Sequence, residues 1–290
     1  MGATGLVAAG GDGRLVTPAR RDHTACRAPA KLTLTLRVTG VRSDGYHLLE
    51  SEMVTLDLSD TLEIEDADPG AGNLVVTVDW PEGAEGWRDL TIGPEAENLV
   101  TRALVATDRA AEVRLVKRIP PGAGLGGGSA DAAAVLRWAG CADQEVAVAL
   151  GADVPFCVIG GRARVSGVGE VVRPLPYEDR SFVLLMPPFG VETAAVYRAY
   201  DRLASEGKLP DAGTVANELE VPALVVEPRL AGWRSALEEA TGRPARLAGS
   251  GSTWFVEGSA AELGVEDRRW LELEGQRAPL VTARTSPAMG

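Results

Sequence analysis

Ile119-Pro120-Pro121-Gly122-Ala123-Gly124-Leu125-Gly126-Gly127-Gly128-Ser129-Ala130-Asp131-Ala132-Ala133-Ala134 is the most informative stretch of the chain. Val113, Leu115 and Ile119 before it read as a strand, and the alanine-rich run Ser129 to Trp138 after it reads as a helix. Five of the seven residues from Gly122 to Gly128 are glycine. Each loses more backbone entropy on folding than any other residue, so folding alone is a poor explanation for the cluster. Glycines in return leave the main chain bare and let it approach a ligand closely. At a helix N-terminus, free N–H groups and the positive end of the helix dipole bind phosphate. Ser129 is expected to cap that helix. Gly122, Gly124 and Gly127 also satisfy a dinucleotide-binding spacing, a weak match because antiparallel strands come first. Gly122 to Ser129 fits a P-loop except that Gly128 stands at the lysine position, so a cation for a triphosphate has to come from elsewhere.

Outward from this loop, Lys31 to Thr39 alternates strictly, with Leu32, Leu34, Leu36 and Val38 on the buried side and Lys31, Thr33, Thr35 and Arg37 on the polar side. Organised structure is expected from Pro29. Asp44-Gly45 marks a hairpin turn; strands follow at Leu48–Leu58, Leu62–Glu65 and around Leu74, Val76 and Val78. Pro81 to Gly93 reads as a polar loop and Glu95 to Thr107 as a helix. A short helix, Gln144 to Leu150, stops at Gly151, and strands at Ala163–Val165 and Glu170–Arg173 close this half. After Pro174-Leu175-Pro176 come a strand at Ser181–Met186, a helix at Glu192–Ser205, a helix from Pro228 to Gly242, and a strand–turn–strand from Leu247 to Phe255. Ser259 and Glu262 have capping-box spacing for a short helix, and Leu280–Thr285 is a final strand. The mixture lacks a βαβα rhythm. It predicts an α+β protein of two domains, 28–177 and 178–290, after a flexible extension over residues 1–27.

Composition narrows the function classes. In 290 residues, 45% are hydrophobic and 24% charged, the balance of a soluble globular protein. The longest apolar stretch, Val146 to Ile159, is broken by Gly151, Asp153 and Pro155, whereas a membrane span needs roughly 18–20 apolar residues in a row. Forty-one acidic against 29 basic residues give a net charge of −12, which repels nucleic acid and anionic membranes. Three cysteines, Cys26, Cys141 and Cys157, with no CxxC spacing, and two histidines, His23 and His47, make a disulfide framework or zinc site a poor fit. No secretory signal is visible, and a cytoplasmic protein is expected.

The glycine loop resembles the phosphate loop of the GHMP kinases. Ala28-Pro29-Ala30-Lys31-Leu32 with Asp44-Gly45-Tyr46-His47, Gly151-Ala152-Asp153-Val154-Pro155-Phe156, and Ala248-Gly249-Ser250-Gly251-Ser252-Thr253 are similar, in the same order, to other motifs of that family. The set is closest to the branch acting on a cytidine diphosphate-linked polyol in the non-mevalonate route to isoprenoid precursors. The resemblance implies an N-terminal ribosomal-protein-S5-like domain, a C-terminal ferredoxin-like domain, and transfer of phosphate from ATP, with Mg²⁺, to a hydroxyl of that small-molecule substrate. It implies Asp153 as general base and Lys31 beside it. Pro120, Pro121, Gly122, Ala123, Gly124, Leu125, Gly126, Gly127, Gly128, Ser129, Ala130 and Asn98 are implied to hold ATP. Tyr46, His47, Phe189, Thr193, Gly249, Ser250 and Gly251 are implied to hold the acceptor, with His47 reading the cytosine. Protein ligands for the metal are not identified. On the residues alone, Lys31 reads as a solvent-facing strand lysine, Asp153 as a turn aspartate and Phe189 as core. Thr33 stands where the family usually has Asn, Ala130 replaces a second serine, and Glu192 adds a negative charge near the acceptor segment. A family kinase acting on another alcohol or sugar, and a non-catalytic nucleotide-binding relative, are the alternatives.

Overall fold

A computed structural model describes residues 23–89, 95–211 and 213–289. The first hairpin is larger than its sequence pattern indicates. β1 runs His23–Val41 and β2 runs His47–Asp66, paired antiparallel from His23–Glu65 to Val41–His47 across a turn at which Gly45 takes a positive φ of 88°. Two expectations are corrected here. Residues 23–27 belong to β1 and not to a flexible extension; the rest of that expectation falls on residues outside those described. The two strands expected at 48–58 and 62–65 are one strand, continuous through Ser59-Asp60. Those polar residues do not break it because the Asp60 carboxylate, fully buried, accepts from Lys117 and from the Arg118 and Ile119 backbone N–H groups. Satisfied in that way, a buried carboxylate is compatible with an unbroken ladder.

β3 (Asn73–Val78), β4 (Ala111–Lys117), β5 (Arg162–Gly167) and β6 (Val171–Leu175) complete the first sheet, in the order β3-β4-β2-β5-β6 with β1 on β2. β2 is long enough to pair with β5 through its first half and β4 through its second. Helices α1 (Leu99–Ala106), α2 (Gly127–Trp138), α3 (Gln144–Leu150) and α4 (Val154–Ile159) cover one face. The alanines of α2 explain its place in the middle: Ala130, Ala132, Ala133 and Ala134 are essentially inaccessible and let the helix lie close to β1, α1 and α4. α4 was not foreseen, although Pro155 stands where a first-turn proline is tolerated.

The second sheet has the order β10-β11-β7-β9-β8 and is antiparallel throughout: β7 (Ser181–Leu185), β8 (Arg246–Leu247), β9 (Trp254–Glu257), β10 (Trp270–Leu273) and β11 (Gln276–Arg284). α5 (Thr193–Ser205), α6 (Glu220–Val226) and α7 (Arg229–Thr241) pack on it, α7 entered at Pro228 and closed by Gly242 in the left-handed conformation. Ser259 and Glu262 form the expected reciprocal hydrogen bonds, but over turns and not a helix. The stretch 176–180 lies between the sheets in sequence. In space they share a core: Leu32, Leu34, Val54 and Leu56 of the first pack with Phe182, Leu184 and Phe255 of the second. The 81–93 segment, in its described part, is no plain polar loop. A 3-10 turn at Glu85–Asp89 buries Trp87, whose indole N–H donates to the Pro187 carbonyl at 3.2 Å. The mixed α+β class is as expected. Cys157 is buried, and Cys26 and Cys141 are half-buried free thiols.

Candidate active site

The glycine segment leaves β4, crosses the junction of the sheets and enters α2 directly. Gly126, left-handed with φ 66° and ψ 27°, occupies the cap position of α2 without a side-chain cap, so the helix starts inside the glycines. Ser129 is therefore its third residue and not its cap. The first-turn N–H groups therefore have no side-chain acceptor and face a cavity of about 480 Å³. The cavity is lined by Pro120, Pro121, Gly122, Ala123, Gly124, Gly126, Gly127, Gly128 and Ser129, with Asn98 and Leu99 beside them. Leu125 and Ala130 are core residues and do not line it. Asn98 also caps α1, accepting from the Val100 N–H at 2.9 Å.

Packing explains more of the glycines than the sequence argument allowed. A Cβ on Gly122 would stand 2.8 Å from Gly190 Cα, on Gly124 2.2 Å from the Ala248 carbonyl oxygen, on Gly126 2.8 Å from Lys31 Cγ, and on Gly127 2.9 Å from Ile119 Cγ2. At Gly128 alone of the cluster would a Cβ meet nothing closer than 3.5 Å. Four of the five thus serve close main-chain approach within the protein as well as openness to a ligand. The tightest approach joins the loop to the 248–253 turn, where Ser252 and Thr253 N–H groups donate to Gly122 and Ala123 carbonyls, both at 3.1 Å. Gly124→Ala, with a positive φ of 76° besides, is expected to cost about 2–4 kcal/mol, and a thermal melt showing no loss would contradict this account of the interlock.

Lys31 and Asp153 come from opposite ends of the first sheet's half of the chain and meet in this cavity. Lys31 Nζ lies 3.3 Å from Asp153 Oδ2 and 3.1 Å from Thr33 Oγ1. The lysine is 5% exposed, not the solvent-facing residue its alternation suggested. β1 is covered on both faces here because the Lys31 N–H donates to the Leu125 carbonyl at 2.9 Å, drawing the glycine loop over the strand. Thr33 thus gives the lysine an oxygen where the family pattern has an amide. Asp153 sits at the start of α4 but makes no side-chain cap hydrogen bond, which leaves its carboxylate, with 30% of its side chain exposed, directed to the cavity.

The residues that the resemblance implied for the acceptor divide. Thr193, Gly249 and Ser250 line the cavity, and Thr193 Oγ1 and Ser250 Oγ share a hydrogen bond of 2.8 Å. Gly251 is in the same turn but off the cavity. Phe189 is core, with the Arg229 guanidinium 4.1 Å above its ring, and does not reach the cavity. The aromatic wall is Tyr197 instead, one turn along α5 from Thr193 and on the same face. Burial, and then the charge of Asp153, push the Tyr197 phenol above its ordinary value. His47 lies behind it and does not itself line the cavity, the two rings stacked at 4.7 Å. Tyr46 is 64% exposed and off the cavity, with Arg42 5.9 Å from its ring centroid. Glu192 turns to solvent and pairs with Arg198 at 3.2 Å.

The segment 98–161 matches the model of the GHMP kinases N terminal domain. A 4-diphosphocytidyl-2-C-methyl-D-erythritol kinase from Paracoccus denitrificans is 42% identical over 255 residues, which cover 83% of this chain and 89% of the relative; one from Ruegeria pomeroyi is 38% identical, covering 79% and 86%. The chain belongs to the GHMP kinases. A crystal structure of 4-(cytidine 5'-diphospho)-2C-methyl-D-erythritol kinase superimposes with a TM-score of 0.62 at 30% identity, covering 91% of this chain and 100% of the other. A mevalonate kinase at 12% identity and TM-score 0.54 shares the fold.

Sequence reading also missed what lies under the loop of this GHMP kinase. Lys117, the last residue of β4, is buried between Asp60 and Asp131 and makes a hydrogen-bonded ion pair with each, at 2.7 Å to Asp131. A Cβ on Gly127 would be 3.2 Å from its Nζ, and Lys117 and Asp131 both reach the cavity. Burial alone would lower the lysine's pKa; the two carboxylates overrule it and the value is raised. For Asp131, burial outweighs the pull of Lys117, and with the Asp60 charge brings its carboxyl up to about 7. Its Oδ1 has no hydrogen-bond partner. Only the triad's assembly from residues 60, 117 and 131 reveals it; no local motif does.

Proposed function

We propose that this GHMP kinase transfers the γ-phosphate of ATP to the 2-hydroxyl of 4-diphosphocytidyl-2-C-methyl-D-erythritol. The observation that carries this reading is the Lys31–Asp153 pair, 3.3 Å apart, in a cavity walled by uncapped helix N–H groups. The glycine loop and the start of α2 hold the triphosphate by main-chain donors and the helix dipole. Lys117, beside Gly127, supplies the cation that a P-loop would have carried at position 128. Asp153 accepts the proton of the acceptor hydroxyl as it attacks phosphorus. Lys31, a compact charge, keeps Asp153 in place and offsets charge on the transferring group. Thr193, Ser250 and Tyr197 line the acceptor's side, and His47 meets the cytosine edge.

Among the described residues no group of three His, Cys, Asp or Glu side chains clusters to hold a metal. Magnesium fits this site as a phosphate-borne ion, since it binds through substrate phosphates and few protein oxygens; the Ser129 hydroxyl and the Asp131 carboxylate, whose Oδ1 has no partner, are cavity oxygens that would hold it. When bound it neutralises phosphate charge. No described helix is long and apolar enough to cross a membrane, and ATP with a diphosphate ester as substrates suits a cytoplasmic enzyme.

The test is ADP release over a panel of acceptors, with and without magnesium. Turnover is expected with the cytidine diphosphate-linked polyol and magnesium, at least a hundredfold above mevalonate, homoserine or galactose. Preference for one of those alcohols would reassign the acceptor; ATP binding without turnover on any would leave a nucleotide-binding relative.

A further inference from the structure

His47 has a partner that no part of the reaction assigns. Its Nε2 is 2.6 Å from Asp201 Oδ1, contributed by the third turn of α5, 154 residues away in sequence. The imidazole is held on every side that matters: 10% of its side chain is exposed, its face stacks on Tyr197, and Tyr200 meets it edge-on at 5.9 Å. Asp201 itself is 55% exposed at the rim. An ionised carboxylate can only accept hydrogen bonds, so this contact requires the proton of the ring on Nε2. In the neutral ring Nδ1 is then a bare lone pair, an acceptor.

We infer that Asp201 is a positioning residue for base selection: by holding the His47 proton on Nε2 it makes Nδ1 the acceptor for an exocyclic amino group. This rests on the acceptor reading above and adds its chemical basis. Cytosine offers an amino donor on its outer edge; uracil offers a carbonyl oxygen at the same place, and two acceptors face each other unpaired. A site built around a hydrogen bond rejects the mismatched analogue more strongly than one built on shape. The other tautomer, with Nδ1 protonated, would reverse the preference. Thr193 and Tyr197 lie on the same helix as Asp201, so α5 delivers the cavity wall and the tautomer control as one rigid element.

Two measurements decide it. With only His23 and His47 in the chain, ¹⁵N spectra of the labelled protein, assigned with His47→Gln, read the tautomer directly. A protonated Nε2 and bare Nδ1 on His47 at neutral pH are expected, with the preference lost in Asp201→Ala and restored in Asp201→Glu. In steady state Asp201→Ala is expected to raise KM for the cytidine diphosphate-linked polyol roughly tenfold, the size of one hydrogen bond. Its kcat and its KM for ATP should move less than about twofold, and discrimination against the uridine diphosphate-linked analogue should fall by a similar factor. A protonated Nδ1 in the unaltered protein overturns the inference, as does an Asp201→Ala variant with unchanged KM and unchanged discrimination. If the cytidine-linked polyol is not turned over at all, the acceptor reading fails, while the spectra still decide whether Asp201 sets the tautomer.

Discussion

Asp153→Asn is expected to lower kcat by about 10²–10⁴-fold, the range for loss of a positioned general base. The substitution keeps the volume and one oxygen of the side chain but removes the charge proposed to take the acceptor proton. The loop proposed to bind the triphosphate does not depend on Asp153: its donors would be the uncapped N–H groups of α2, and its shape is set by Gly124 against Ala248 and Gly126 against Lys31. ATP affinity, measured by calorimetry, should therefore change by less than about threefold. A thermal melt controls for the altered surroundings of Lys31, which is 5% exposed. Turnover within a few-fold of the unaltered enzyme, measured by ADP release, would remove Asp153 from the reaction. A parallel collapse of ATP affinity would instead make it a structural partner of Lys31.

Lys117→Met is expected to cause the largest loss of stability, about 3–5 kcal/mol. Methionine fills much of the space, so the loss is electrostatic: Asp60, fully buried, and Asp131, 2% exposed, are left facing each other without a cation. For a chain of this size that corresponds to a fall in Tm of roughly 10 °C. The pH dependence has a definite sign. The Asp131 carboxyl lies at about 7 in the folded protein against 3.8 for the free side chain. A group whose folded value is raised contributes stability that is complete below its unfolded value and is lost as pH rises through its folded one. Relative to Asp131→Asn, which cannot titrate, the unaltered protein should lose Tm between pH 5 and pH 8. The deficit of Lys117→Met should likewise be smaller at pH 5, where protons stand in for the ammonium. Melts in which the difference from Asp131→Asn is flat or grows with pH would contradict this account of the triad.

Elements whose cause is local were legible in the chain. The turn at Asp44-Gly45, the stop of α3 at Gly151, the span of α7 between Pro228 and Gly242, and α5 from 193 to 205 all rest on cap, turn or periodicity signals that act within a few residues. Where a distant partner supplied the missing term, local signals misled. Asp60 looked like a break between strands because its three donors lie at residues 117 to 119. Residues 23–27 looked structureless because their order comes from pairing with residues 61–65 of β2. Phe189, placed at the acceptor by the family resemblance, is taken up instead by a core with Val183, Trp254 and Leu219 that is not adjacent in sequence.

The candidate site divides along the same line. Bare amides at a helix start, an aspartate after Gly-Ala, and a lysine on a strand are types of residue in a local pattern, and covalent structure with short-range sterics sets them before any fold exists. That Lys31 reaches Asp153, that Tyr197 and not Phe189 walls the cavity, and that Lys117 is caught between two carboxylates follow from closure of β1 against β2 and of one sheet against the other. Position in space, burial and hence charge state are properties of that closure. Side chains more than a hundred residues apart have no chemistry in common until the chain brings them within a few ångströms and removes the water between them.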